Sequence, residues 1–169
     1  MKKLQIKLVL FFSIFLLISC SYEPIFSQKN YNFKLDKITF SGEKNVNKIV
    51  ENQLDLFKRA ESSKKKITLS QSEENKKTYS IDINSKLNRD VVSKDAKGDP
   101  QKFEKIIIVD LRVFYNSKVI LDKELEGKYV YNNDSDKFKL EQTEKIIIEN
   151  LSQNITNSII SSIINIDDN

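Results

Sequence analysis

The side chains able to do chemistry in this sequence are few. Histidine is absent and cysteine occurs once, at position 20. The usual proton shuttle, the usual nitrogen and sulfur metal ligands and any disulfide within the chain are therefore missing. A hydrolase would need a nucleophile with its base, or a metal with its ligands. What remains is carboxylate: Asp110, Asp122 and Glu124 share the outward parity of two strand-like segments. On such a wet face a salt-patterned surface is the ordinary explanation. The expectation is a protein that is not an enzyme, with no catalytic residues, no metal and no cofactor.

A second group of interest is cationic. Lys86, Arg89, Lys94, Lys97, Lys102 and Lys105 stand among Asp90, Asp95, Asp99 and Glu104, an excess of two positive charges. Ammonium and guanidinium groups pair well with phosphates of a lipid head group or with acidic residues of a partner. The same residues also describe a solvated loop of mixed charge, and the sequence leaves both readings open. Net charge does not point to nucleic acid. The formal value is +4, but Lys2, Lys3 and Lys7 supply three of it from a segment that reads as removable, leaving +1.

That segment is the first 19 residues. Its lysines precede an apolar run from Leu8 to Ile18, broken only by Ser13 and followed by Ser19 and Cys20. A membrane-spanning helix needs about 20 residues, so the run is too short to cross and matches a signal-peptide core. Leu17-Ile18-Ser19-Cys20 resembles the lipobox of bacterial lipoproteins. The resemblance implies that the Cys20 thiol receives diacylglycerol, that cleavage falls before it, and that the new amine is acylated. One acyl chain holds a protein to a bilayer only marginally, whereas several hold it stably. The alternative is an ordinary secreted protein with an incidental cysteine. Ser21 stands where an aspartate would imply retention at the inner membrane, so the resemblance favours the outer membrane, periplasmic side. Residues 20–30 read as the lipidated amino terminus and a polar tether, which leaves 31–169 for one domain.

The elements of that domain follow from periodicity. Tyr31, Phe33 and Leu35 alternate, and Ile38 and Phe40 alternate in the other parity, as one bulged strand or two short pieces require. Ser41-Gly42 breaks the strand. Val46, Ile49, Val50, Leu54 and Phe57 then form a helical stripe, with Asn45 as its expected cap and Arg59 to Lys66 as a charged connector. Ile67 and Leu69 are ambiguous. Tyr79, Ile81 and Ile83 predict a second strand, and Asn88 to Lys102, with Gly98-Asp99-Pro100 as a turn, predicts a long hairpin tip or a ragged extension of two strands. Phe103, Ile107, Val109, Leu111, Val113 and Tyr115 alternate, as do Val119, Leu121, Leu125, Tyr129 and Tyr131, about a turn at Tyr115-Asn116-Ser117-Lys118. Gly127 is the expected bulge or kink. Ser135 or Asp136 should cap a last helix, reaching Ile164, that buries Ile147, Leu151, Ile155, Ile159 and Ile163 and turns Glu141, Glu144, Lys145, Glu149 and Gln153 to water. At about 1.5 Å per residue it spans roughly 43 Å, which on these strand lengths exceeds the sheet. Its polar face is acidic and amide-rich, which disfavours a helix lying on anionic lipid. The predicted class is α+β: a two-layer sandwich of about four mainly antiparallel strands, covered on one face by two helices in the order β-α-β-β-β-α.

Taken together, three features resemble the LPS-assembly lipoprotein LptE family in its alphaproteobacterial form. They are the lipobox followed by Tyr22-Glu23-Pro24-Ile25-Phe26, the order of the elements, and the polar stretch from Asn88-Arg89-Asp90 through Gly98-Asp99-Pro100 into a long apolar strand. Ser21 replaces the glycine common in that family. The resemblance covers nearly all of the chain beyond Cys20. It implies a plug inside the LptD β-barrel that helps the barrel fold and binds lipopolysaccharide on its way to the cell surface. It assigns no ligand contact to any particular lysine here. A free-standing periplasmic adaptor with a similar small fold stays open beside it, because folds do not fix functions.

Overall fold

The computed structural model describes residues 33–65 and 76–167, without the side chains of 60–65. The leader at 1–19, Cys20, the tether at 20–30, Tyr31, Ile67 and Leu69 lie outside the described residues. In chain order the elements are β1 (Phe33–Gly42), α1 (Lys44–Lys65), β2 (Lys77–Lys94), β3 (Pro100–Tyr115), β4 (Lys118–Asn132) and α2 (Lys137–Asp167). The strands make one sheet in the order β1-β2-β3-β4. β1 and β2 are parallel, and the other neighbours are antiparallel. A parallel pair needs a crossover, and α1 supplies it. This is the α+β layout that the periodicities predict.

Alternation decides which face is covered. Tyr79, Ile81 and Ile83 of β2 and Ile107, Val109, Leu111 and Val113 of β3 are at most 1% exposed, in one core with Val46, Val50 and Leu54 of α1 and Ile155, Ile159 and Ile163 of α2. Burying a large aliphatic side chain contributes about 1.5–3 kcal/mol, so this face holds the layers together. β1 carries the expected bulge between Leu35 and Ile38, which lets residues of both parities face the helices.

Two backbone features fix the frame. Gly42 has φ +87°, and a Cβ there would stand 2.0 Å from the Ser85 carbonyl oxygen. That close approach lets the Glu43 N–H donate to the same carbonyl at 3.0 Å, while the Ser85 hydroxyl donates to Asn47 Oδ1 at 2.7 Å. The start of α1 is thus tied to the middle of β2. Asn45 lies inside the first turn of α1 rather than capping it, because the Glu43 carbonyl already accepts from the Asn47 N–H at 3.0 Å. At the other helix Asp136 is the cap: its Oδ1 accepts from the N–H groups of Phe138 and Lys139 at 3.0 and 3.2 Å.

Of the two readings open for Asn88 to Lys102, the ragged extension of two strands holds: both arms are strand about a tight turn, with register shifts from Val91 to Lys94, so β2 has 18 residues and β3 has 16. Several other expectations are corrected. At about 3.2 Å per residue β2 runs roughly 57 Å, whereas α2, at about 1.5 Å per residue, runs roughly 46 Å. The sheet, not the helix, is the longer body. α1 continues to Lys65, through most of the stretch read as connector. Gly127 interrupts nothing: it pairs with Ile107 in an unbroken register. A Cβ there would lie 3.4 Å from both Leu151 and Ile155 of α2, so its bareness lets the helix sit close to β4. The irregularity of this hairpin falls instead between Val113 and Phe114, and it pairs Val119 with Phe114 rather than leaving it on the face of Leu121.

Candidate functional site

α1 begins beside Ser85 and returns toward the start of β2, so beyond Ser85 the inner sheet face is covered, among the described residues, by α2 alone. This far half of the β2-β3 hairpin carries most of the cations singled out in the sequence, and the structure sorts them onto different surfaces.

Arg89 and Lys105 point inward, at the first turns of α2. Glu144 lies between them: Lys105 Nζ donates to its Oε2 at 2.8 Å and Arg89 Nε stands 3.0 Å from its Oε1. The Tyr131 hydroxyl donates to the same Oε1 at 2.6 Å and accepts from Arg89 Nε at 3.2 Å. The guanidinium lies 3.7 Å above the Phe103 ring. Lys105 is 7% exposed. Glu144 is therefore not on the outward face of α2, contrary to the pattern reading. Burial works to raise its pKa, but the hydrogen bonds from Lys105 and Tyr131 and the charges of Lys105 and Arg89 outweigh burial and hold it below the ordinary value. Burial and the bond to Glu144 push the Tyr131 hydroxyl up to about 12. The cluster carries two cations on one carboxylate and joins α2 to the sheet beyond the reach of α1.

The other four cations lie elsewhere. Lys86 is on the outer face, its Nζ 3.6 Å from Asp110 Oδ2. Lys94 ends β2, Lys97 sits in the turn and Lys102 is exposed on β3. The turn is organised by Asp95, whose Oδ1 accepts from the N–H groups of Lys97 and Asp99 at 2.9 Å each, with Gly98 at φ +92°. Asp95, which counted as a countercharge in the sequence, is thus occupied in shaping the loop. Lys94, Lys97 and Lys102 share one end of the hairpin; half-exposed Arg89 and buried Lys105 share the network on Glu144; Lys86 joins neither.

The carboxylates Asp110, Asp122 and Glu124 are on the outer face as their parity predicts. Asp110 pairs across the strands with Asn84 and Glu124 and accepts from Asn84 Nδ2 at 3.2 Å. Asp122 stands opposite Arg112. The arrangement is one of cross-strand polar pairs. Among the described residues no helix is long and apolar enough to cross a membrane.

The buried cluster was missed in the sequence, although a signal existed. Lys105 falls on the apolar parity between Phe103 and Ile107, and Glu144 falls on the stripe that runs from Leu140 to Ile147 and Leu151. Two opposite charges, each on a buried pattern of a different element, can only be buried as a pair.

No protein-family model and no curated protein sequence matches the chain. The fold does have solved counterparts. Rare lipoprotein B from Shewanella oneidensis is similar with a TM-score of 0.50 at 16% identity, over 77% of this chain and 98% of that one. An uncharacterized lipoprotein B from Nitrosomonas europaea is similar with a TM-score of 0.54 at 11% identity, over 80% and 88%. At such identities the likeness is one of architecture, and the architecture of this chain is one that bacterial lipoproteins use.

Proposed function

We propose that this protein is an outer-membrane lipoprotein that assists assembly of an LptD-type β-barrel, plugs it, and takes part in lipopolysaccharide transport to the cell surface. The observation that carries the reading is a coincidence of two independent features. The only cysteine sits at a lipobox-like Leu17-Ile18-Ser19-Cys20, and the domain behind it has the two-layer fold found in lipoprotein B structures. In this reading the acyl chains on Cys20 hold the domain at the periplasmic side of the membrane, and the domain acts by contact, with no chemistry of its own. Lys94, Lys97 and Lys102, gathered at one end of the β2-β3 hairpin and outside the Glu144 network, are the natural contacts for phosphate on lipopolysaccharide. Arg89 and Lys105 serve the fold in this account. Depleting the protein should remove lipopolysaccharide from the cell surface, measured by surface labelling of intact cells. Normal display after depletion would overturn the reading in favour of an adaptor with no part in this transport.

A further inference from the structure

The β3-β4 turn breaks the alternation that governs the rest of the sheet. Val113-Phe114-Tyr115 and Val119-Ile120-Leu121 are apolar without interruption on both sides of Asn116-Ser117-Lys118. An alternating strand needs one apolar face; a continuous run gives two, and only one is covered. Tyr115, Val119 and Ile120 are accordingly 36%, 52% and 38% exposed. The bulge beside Phe114 adds to this by pairing Val119 with Phe114.

This tip lies at the end of the sheet where the chain comes in. Leu35, Tyr79, Tyr115 and Lys118 form one row across the four strands, so Phe33, the first residue of β1, is nearly level with the turn. Thirteen positions separate Phe33 from Cys20. At no more than about 3.6 Å each they reach roughly 47 Å. Phe33 pairs with Lys77, and Val91 and Val92 stand 14 and 15 residues further along β2, about 45–48 Å away at about 3.2 Å per residue. Bringing that end to the bilayer would need the leash stretched to its limit, whereas the β3-β4 turn, level with Phe33, comes to it with the leash slack.

From the exposed tip and the length of this leash we infer that the β3-β4 turn, through Tyr115, Val119 and Ile120, seats in the head-group and acyl boundary of the phospholipid leaflet that holds the anchor. Tyrosine, with an apolar body and a polar tip, suits that depth, and Lys118 can extend its ammonium to the head groups. The inference rests on the anchor at Cys20 but not on the barrel. The contact belongs to the tethered lipoprotein by itself.

The chain has no tryptophan, so one introduced residue reports alone. The mature chain is coupled through Cys20 to a maleimide-bearing lipid in phosphatidylcholine vesicles whose acyl chains carry bromine, which quenches indole on contact. Coupling supplies the tether chemically, so failure here would speak against the tip and not against natural lipidation. The expected result is about twofold quenching with a blue shift for Val119→Trp, none for Val92→Trp, and loss of the quenching when Ile120→Glu is added to Val119→Trp. An unquenched Val119→Trp, equal quenching at both ends, or quenching indifferent to Ile120→Glu would overturn the inference.

Discussion

Glu144 is the side chain on which the far half of the molecule depends. It satisfies a nearly buried ammonium, a guanidinium and a phenol at once. Glu144→Ala should cost about 3 kcal/mol in urea unfolding, because the loss leaves Lys105 charged and unpaired against the sheet. The double change Glu144→Leu with Lys105→Met should recover most of that, since removing both charges leaves neither stranded. The sign with pH follows from the lowered pKa: the folded state holds the carboxylate more strongly than the unfolded chain does. Its contribution is present above the unfolded value of about 4.3 and is lost as pH falls through the folded one. The difference between wild type and Glu144→Ala should therefore shrink on acidification below about pH 4. At the alkaline end burial, reinforced by Glu144 and Asp167 respectively, pushes Tyr131 and Tyr79 up to about 12. An absorbance titration should show these two tyrosines ionising late, and Tyr131→Phe should remove one of the two late steps. The stability held by these neutral phenols is complete below about pH 10 and disappears as pH rises through about 12.

At the scale of elements, the connection between β1 and α1 sets the register of the crossover. Gly42→Ala places a Cβ against the Ser85 backbone at a φ of +87° and should cost at least about 2 kcal/mol, read from the urea midpoint. Most elements were legible from periodicity because each buries one face: the bulge of β1, the stripe of α1 and the turn at Asn116-Ser117 all stand where the pattern put them. The polar arm from Asn88 to Lys102 was legible only as one of two alternatives. It is strand because two long backbones pair, yet its outer face is wet and α1 does not reach it, so few apolar residues mark its pleat. Gly127 was misread for a related reason. Its lack of a side chain serves the approach of α2, an interaction between layers that no reading along one strand records.

For the whole molecule, the distribution of the six cations changes what a charge-reversal experiment can mean. Reversing Arg89 would break the Glu144 network and report on folding. Lys94→Glu, Lys97→Glu and Lys102→Glu together should instead weaken lipopolysaccharide binding about tenfold, about 1.4 kcal/mol. The urea midpoint should stay unchanged, because those side chains are exposed or near the turn. Unchanged binding would make that end of the hairpin ordinary solvated surface. The proposed association with a barrel is tested most directly by extracting membranes in mild detergent, capturing the full-length protein and identifying what stays with it by mass spectrometry. The account predicts a large outer-membrane β-barrel of the LptD kind, retained in amounts comparable to the bait; recovery of the protein without any such barrel would contradict it.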